Sequence, residues 1–223
     1  MTKYPWPTDV ETAEKLQESL RTRVCREGVR VAPGVVAGVD IAYDKDSELA
    51  AAAAVAFELG SLAVVATATV VGRVEFPYRP GLLGFREVPL SSQVLERLDV
   101  AAELVVCDGH GLAHPRGFGM ACHLGVHMNQ PTMGIAKNPP EFAVNEPGKR
   151  RGSSTLIFNG DDVVGACLRT QDNVKPVYVS VGHRIGLDEA VEVALRLSPR
   201  FRLPATTRAA DRLSRDTLAE ALG

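Results

Sequence analysis

The sequence lacks the excess of basic residues that proteins coating nucleic acids usually carry. Its 25 Lys and Arg residues are outnumbered by 27 Asp and Glu residues, which gives a formal net charge of -2. A histone-like protein is therefore excluded, and any nucleic-acid contact must come from a local basic patch. A chain of 223 residues, 45% of them hydrophobic, is long enough for one large core. We expect residues 1–223 to form a single domain.

Cysteines are few, and none of them forms a CxxC pair. Cys25, Cys107, Cys122 and Cys167 are widely separated along the chain, which predicts reduced core thiols in a cytosolic protein. The first residues are polar and acidic rather than basic and then apolar, so no signal peptide is indicated. We find no repeat, no low-complexity tract and no long linker, and we expect a cytoplasmic protein.

One nearly continuous apolar stretch, from Leu49 to Val71, has the length of a membrane span. Glu58, Gly60 and Ser61 interrupt it in the middle with a turn signal, and the second half is rich in β-branched residues. These features predict a hairpin of two buried strands. We therefore expect no contact with a membrane.

The order of predicted elements begins with an amphipathic helix, Thr8–Glu27, followed by strands at Val35–Tyr43, Ala50–Glu58 and Leu62–Val74. The links between these strands are too short for helical crossovers, so the three strands are antiparallel. Helices and strands then alternate. We predict further strands at 103–108, 132–137, 153–158, 162–168 and 176–181, and helices at 89–98, 120–128 and 187–197, with a last, arginine-rich helix. This order is that of an α/β, ribonuclease H-like mixed sheet.

Asp40 lies inside the apolar strand VVAGVDIAYD, where an unpaired carboxylate would cost several kcal/mol of desolvation. Strand alternation places Gly38, Asp40 and Ala42 on one face, and its small residues leave room for a bound group. An edge strand with a solvated acid is the alternative.

Three other acids stand out at element ends. Asp108 ends the apolar strand LVVC, at the kind of strand end where open α/β folds bind ligands, although Asp-Gly is also ordinary turn chemistry. Glu87 precedes a helix predicted to start at Pro89, where an acid also favours the helix dipole. Asp211 fits a helix surface equally well. Together with Asp40, these acids indicate a divalent metal site, because Mg²⁺ prefers carboxylate oxygens.

Two pairs of histidines offer a competing prediction. His110 and His114 are four residues apart in a glycine-rich loop, and His123 and His127 are four apart on a predicted helix. This spacing suits zinc, although the pairs lie on different elements.

Six blocks of the sequence resemble the endonuclease V family of deoxyinosine-directed repair nucleases. They are GVDIAY, FPYRPGLLGFRE, DGHGLAHPRGFG, GIAK, KPVYVSVGHRI and LPATTRAAD. The resemblance implies a ribonuclease H-like fold and dependence on Mg²⁺, with Mn²⁺ able to substitute. It also implies hydrolysis of the second phosphodiester bond 3′ to deoxyinosine, which leaves 3′-hydroxyl and 5′-phosphate ends.

The same resemblance assigns site residues. It implies that Asp40, Asp108 and Glu87 bind the metal, that Asp211 has an outer or second-metal role, and that Lys137 lies near the scissile phosphate.

For substrate binding, the resemblance implies that Tyr78, held between Pro77 and Pro80, is a wedge that enters the duplex at the lesion. Arg79 departs from the aliphatic residue common in the family at that position. Gly81, Gly109, Gly111 and His114 are expected to approach the base, where glycines suit close backbone contact.

The expected protein is a monomeric endonuclease that acts on inosine-containing double- and single-stranded DNA without an organic cofactor. Phosphate contacts are expected from Arg86, Arg116, Lys149–Arg151 and the C-terminal arginines. One alternative is an endoribonuclease acting on inosine in RNA, because the same acids serve either sugar. A second alternative is a zinc-stabilised, non-catalytic nucleic-acid-binding protein.

Overall fold

The structure, a computed structural model, describes residues 4–28 and 34–223. Within these ranges eight strands form one sheet, and five helices pack on it. The strands are β1 (Val35–Tyr43), β2 (Leu49–Glu58), β3 (Val64–Arg73), β4 (Leu104–Cys107), β5 (Thr132–Ala136), β6 (Ser154–Asn159), β7 (Asp162–Leu168) and β8 (Val177–His183). The helices are α1 (Val10–Arg21), α2 (Leu83–Glu96), α3 (Met120–Met128), α4 (Leu187–Arg196) and α5 (Ala205–Leu222).

The strands are ordered β3-β2-β1-β4-β5-β8-β7-β6 across the sheet. β1, β2 and β3 form an antiparallel meander, while β4 and β5 run parallel to β1. Parallel neighbours need a long crossover, and α2 and α3 supply it between β1 and β5. The remaining three strands pair antiparallel. The mixed sheet predicted from the sequence is confirmed.

The long apolar stretch forms the predicted hairpin of β2 and β3, but only β2 is buried, because β3 lies at the edge of the sheet and exposes Val64, Val65 and Val71. The run of alanines in β2, Ala50 to Ala54, is fully buried between layers, since β2 is covered on both faces. Small side chains allow α2 and α5 to pack closely on the two faces of this strand. None of the helices among the described residues is long and apolar enough to cross a membrane.

Helix α5 packs directly on the β1 backbone. A Cβ atom placed on Gly38 would come within 2.6 Å of the Thr206 backbone, a distance that real Cβ atoms do not reach. Thr206 and Ala210 are fully buried in the same contact surface. The small residue at position 38 thus brings α5 close to the face of β1 that carries Asp40.

The start of α2 differs from the sequence expectation. We predicted a helix beginning at Pro89, but α2 begins at Leu83 and contains Pro89 in its interior. Proline usually interrupts a helix because it lacks a backbone N–H. Here Phe85 and Val88, both buried, bind the first two turns to the core and offset that loss. Glu87 therefore lies inside a helix rather than before one.

Two smaller expectations were also wrong. α1 spans Val10–Arg21 rather than Thr8–Glu27; Asp9 caps its start by accepting a hydrogen bond from the Thr12 amide. Cys25 is exposed, whereas the other three cysteines are buried as predicted, and all four are free thiols.

Replacing Gly38 tests the contact between α5 and β1. Gly38→Ala should destabilise the protein by about 1–3 kcal/mol, because the added methyl group overpacks the Thr206 backbone. Urea denaturation measures the change. Gly186→Ala is the matched control, since a Cβ atom there meets nothing within 4 Å. Equal stability of the Gly38→Ala variant and the wild type would show that α5 can move away at no cost.

Candidate active site

Asp40 and Asp108 are brought together by the pairing of β1 with β4. The last paired residues in this parallel ladder are Val39 and Cys107, and the two aspartates follow them directly. The shared register places both carboxylates at the same position along the sheet. Both line one open cleft of about 470 Å³ together with Lys137 and Asp211. The structure therefore brings together four of the five catalytic residues predicted from the sequence in one cleft.

Each aspartate of this pair has a partner from another element. The Lys137 ammonium, just beyond β5, donates to Asp108 Oδ2 at 2.5 Å. The Ser214 hydroxyl, buried on α5, lies 3.0 Å from Asp40 Oδ2. On the same helix, Asp211 accepts a hydrogen bond from Arg215 at 2.8 Å. Asp211 thus belongs to the cleft through α5 but contacts neither strand aspartate.

Glu87 reaches the site from the other face of β1. The Tyr43 hydroxyl donates to Glu87 Oε1 at 2.8 Å, and the Arg86 guanidinium lies 4.6 Å from the Tyr43 ring centre. Arg86 also donates to the carbonyl of Phe76 at 2.8 Å, at the base of the Tyr78 loop. Tyr43 thus orients the Glu87 carboxyl group, and Arg86 packs on Tyr43 from the base of the Tyr78 loop.

The acids of the site repel one another. Burial raises the pKa of Asp40 to about 7, and the negative charges of Asp108 and Asp211 add to the rise. Burial likewise raises the pKa of Glu87 to about 7, with smaller contributions from Asp40 and Asp108. Burial lowers the pKa of Lys137, but the hydrogen bond and charge of Asp108 outweigh it and give a net rise.

The donor set fits a hard divalent cation. The available ligand atoms are the carboxylate oxygens of Asp40, Glu87 and Asp108, which Mg²⁺ and Mn²⁺ prefer. The pKa values of Asp40 and Glu87 are raised, and a bound cation would lower them again. Within residues 4–28 and 34–223, no three His, Cys, Asp or Glu side chains are arranged to hold a metal as they stand. In this arrangement Lys137 already binds one oxygen of Asp108.

A second pocket, of about 270 Å³, lies between the Tyr78 loop and the glycine-rich loop. Its lining includes five residues predicted to bind substrate: Tyr78, Pro80, Gly81, Gly109 and His114. Tyr78 is 68% exposed at the rim. Pro77 is exposed and lies outside the lining, as does Gly111, whose absent side chain instead admits the Val181 carbonyl of β8.

His114 is neutral in this pocket. Burial, aided by the charge of Arg116, lowers its pKa to about 4. Its Nδ1 accepts a hydrogen bond from the Arg116 amide at 3.2 Å. The tautomer that this bond requires carries its proton on Nε2, which faces the Gly81 backbone and is hydrogen-bonded to it.

The family model for endonuclease V matches residues 18–212, which contain every acid of the site. The chain belongs to the endonuclease V family.

Individual endonuclease V proteins agree with this assignment. Endonuclease V of Streptomyces coelicolor is 52% identical over 218 residues, which cover 97% of this chain and 94% of the relative. The crystal structure of endonuclease V from Streptomyces avermitilis is 50% identical and superposes with a TM-score of 0.93, covering 98% of this chain and 96% of the other. Endonuclease V enzymes are metal-dependent nucleases of DNA repair.

A more distant endonuclease V, from Ciona intestinalis, was solved in complex with a 24-mer DNA containing an inosine followed by a ribo-adenosine. It is 26% identical with a TM-score of 0.82, and the match covers 96% of this chain and all of the other.

The helical pair of the zinc hypothesis has a packing role in this endonuclease V. His123 is fully buried, its Nε2 lies 2.6 Å from the Tyr4 hydroxyl, and burial lowers its pKa to about 3. Trp6 and Tyr4 pack on both His123 and His127. The first pair, His110 and His114, lies on the glycine-rich loop and faces the second pocket.

Sequence reasoning missed two polar residues of this site, Tyr43 and Ser214. Tyr43 lay in the quoted GVDIAY block, and Ser214 lies three residues after Asp211, on the same face of a helix. The latter spacing could have indicated it.

Several arginines expected to bind phosphate have internal partners. Arg86 and Arg116 bind the loops around Tyr78, and Arg151 donates to the carbonyls of Thr170, Ser198 and Leu195.

The raised pKa values of Asp40 and Glu87 predict an unusual pH dependence of stability without metal. The folded state retains protons that the unfolded state releases above pH ~4, so the free energy of unfolding should fall as pH rises from about 4 to about 7. Asp40→Asn should flatten this dependence and make the metal-free protein more stable than wild type at about pH 8. Urea denaturation in a chelator measures both effects.

The control for this experiment is Asp161→Asn, which changes an exposed acid in the turn between β6 and β7. It should keep the wild-type pH dependence. A wild-type free energy of unfolding that rises with pH between about 4 and about 7 would contradict the raised pKa values of buried Asp40 and Glu87.

Proposed function

We propose that this protein is a DNA repair endonuclease that recognises deoxyinosine and hydrolyses the second phosphodiester bond 3′ to it, leaving 3′-hydroxyl and 5′-phosphate ends. The observation that carries the proposal is the cluster of Asp40, Asp108, Glu87 and Lys137 beside a pocket rimmed by an exposed tyrosine. Membership of the endonuclease V family and the inosine-containing DNA bound by the Ciona protein support it.

We propose Mg²⁺ as the physiological metal, replaceable by Mn²⁺, with Asp40, Asp108 and Glu87 as its ligands. Such an ion polarises a phosphate and lowers the pKa of bound water. Ser214 holds the Asp40 carboxylate and Tyr43 holds that of Glu87, so two of the three ligands are oriented in advance. Asp211 contributes negative charge from α5 at the edge of the cleft.

Lys137 has a role beyond its ion pair. Its ammonium binds Asp108 Oδ2 and is 40% exposed to the cleft. With Asp108 engaged as a metal ligand, the Lys137 ammonium would be available to a phosphate oxygen of the substrate. A lysine in this position stabilises the negative charge that develops on the phosphate during cleavage.

Recognition takes place in the second pocket. Tyr78 stands on a loop that Pro77 and Pro80 restrain, so its ring can fill the space left by an extruded base at little entropic cost. The pocket behind it is lined by the neutral His114 ring and by glycine backbone, which suits an uncharged purine edge. All acids of the site come from one chain, and we propose that the protein acts as a monomer on double- and single-stranded DNA.

Asp108→Asn should reduce cleavage of an inosine-containing duplex in Mg²⁺ by a factor of about a thousand or more, because a metal ligand worth several kcal/mol of charge stabilisation is lost. Folding should be retained. Single-turnover cleavage measures the rate, and Asp188→Asn, an exposed acid on α4, serves as the control. Near wild-type cleavage by the folded Asp108→Asn variant would disprove the metal site.

The preference for DNA over RNA is tested with the wild-type protein in the same single-turnover assay. Matched strands of DNA and RNA, each with one inosine, should show faster cleavage of DNA. Faster cleavage of RNA would establish an inosine-specific endoribonuclease instead.

Tyr78→Ala should weaken the affinity for inosine-containing duplex by about tenfold to a hundredfold, because stacking worth ~1–3 kcal/mol is lost. Single-strand binding should suffer less, since no base pair has to be opened there. Binding is measured in Ca²⁺ and single-turnover cleavage in Mg²⁺. Unchanged duplex affinity, or a cleavage defect as deep as that of Asp108→Asn, would show that Tyr78 is not a wedge.

A further inference from the structure

Gln17 is a buried polar residue on the apolar face of α1. The buried residues of this helix are Ala13, Gln17 and Leu20, spaced so that they share one face. Gln17 is only 3% exposed, and an amide without partners at such a position would cost a few kcal/mol. Apolar packing alone would favour leucine or methionine here, so the amide requires an explanation.

Both ends of the Gln17 amide are fully engaged. Its Nε2 donates to the carbonyl of Gly81 at 2.9 Å and to the carbonyl of Phe118 at 2.8 Å. Its Oε1 accepts a hydrogen bond from Nε of Arg116. Each N–H of the amide therefore binds a different loop, because Gly81 ends the Tyr78 loop and Phe118 belongs to the glycine-rich loop.

The Gly81 carbonyl is held especially firmly. Besides Gln17, Nη2 of Arg116 donates to it at 2.9 Å. Gly81 has a φ of +79°, a conformation that glycine adopts without strain, and it follows Tyr78 by three residues. At the other end of the loop, Arg86 holds the Phe76 carbonyl. Tyr78 thus stands on a segment whose backbone is fixed on both sides.

The two loops joined by Gln17 are the two walls of the second pocket. Gln17 itself lines that pocket, together with Tyr78 and Gly81 on one side and His114 and Phe118 on the other. Gln17 donates to both walls, and Arg116, which it holds through Oε1, adds a direct hydrogen bond from the glycine-rich loop to the Gly81 carbonyl. Among the described residues, those that line the cleft of Asp40, Asp108 and Asp211 include none from α1.

We infer that Gln17 is a positioning residue that sets the spacing between the Tyr78 loop and the glycine-rich loop, and thereby determines how well the pocket accepts the base. The consequence for the base rests on the proposed function. The spacing of the loops does not, so it can be tested without substrate.

Two substitutions separate the contacts of Gln17. Gln17→Met keeps the length and volume of the side chain and makes the buried face of α1 wholly apolar, so the fold should be retained. Gln17→Glu keeps an acceptor for Arg116 but loses both donors. Gln130→Met is the matched control, because the Gln130 amide also donates to a backbone carbonyl, that of Ala102, at the opposite end of the parallel strands.

The first measurement is chymotrypsin cleavage after Tyr78 in the protein alone. Loss of two hydrogen bonds should let the loop open more often, and cleavage should accelerate by about tenfold in both Gln17 variants. Gln130→Met should be cut at the wild-type rate. Thermal unfolding confirms that the variants are folded. Wild-type cleavage rates in both Gln17 variants would overturn the inference.

The second measurement is single-turnover cleavage of inosine duplex at increasing enzyme concentration. In both Gln17 variants the half-saturating concentration should rise by about tenfold, while the rate at saturation stays within about twofold of wild type. General destabilisation would instead lower the rate at saturation.

A Gln17→Glu variant that behaves as wild type would also overturn the inference, because the contact with Arg116 alone would then position the loops. A wild-type protein that cuts no inosine substrate would overturn the proposed function, leaving the chymotrypsin result to decide on Gln17.

Discussion

The register between β1 and β4 is the constraint on which the site depends. Because side chains alternate along a strand, a slip by one residue would turn Asp40 toward α2 and move Val39 under α5. The register is fixed from both faces: Gly38 admits the α5 backbone on one side, while Val39 packs in the core under α2 and α3 on the other. The packing that stabilises the fold therefore also places the two aspartates side by side.

The same arrangement carries an electrostatic penalty. Asp40 and Glu87 approach the site from opposite faces of β1, and their carboxyl groups hold protons well above the usual pH range. Neutral side chains of the same shape would give a more stable protein. A cation bound at the proposed site would offset this penalty, so metal affinity and the stability of the metal-free protein would be linked.

Local sequence patterns predicted the strands well because alternation and β-branched runs are local properties. The observed bounds of β1, β7 and α3 are the predicted ones to the residue. Asp40 lies on the same face of β1 as Gly38, as predicted, and this face is the one that α5 covers. α2 was predicted to start six residues late, because Pro89 suggested a boundary that the packing of Phe85 and Val88 overrides. Membership of the endonuclease V family was predicted from six sequence blocks and is confirmed.

Residues that act through distant partners were not predictable in this way. Tyr43 meets Glu87 44 positions away, Gln17 meets Phe118 101 positions away, and Ser214 meets Asp40 174 positions away. A hydroxyl or amide of this kind looks like any polar residue until the fold brings its partner near. Only Ser214, one helical turn from Asp211, left a local signal.

The distance along the chain between Asp40 and α5 has a consequence for synthesis. β1 leaves the ribosome long before the helix that covers it, and until α5 arrives the Asp40 face of the sheet has no Ser214 and no Asp211. Pairing across such a separation comes late in folding because the closure entropy of the intervening chain must be offset first. A nascent chain therefore lacks the α5 wall of the cleft that holds Asp40 and Asp108 until synthesis is almost complete.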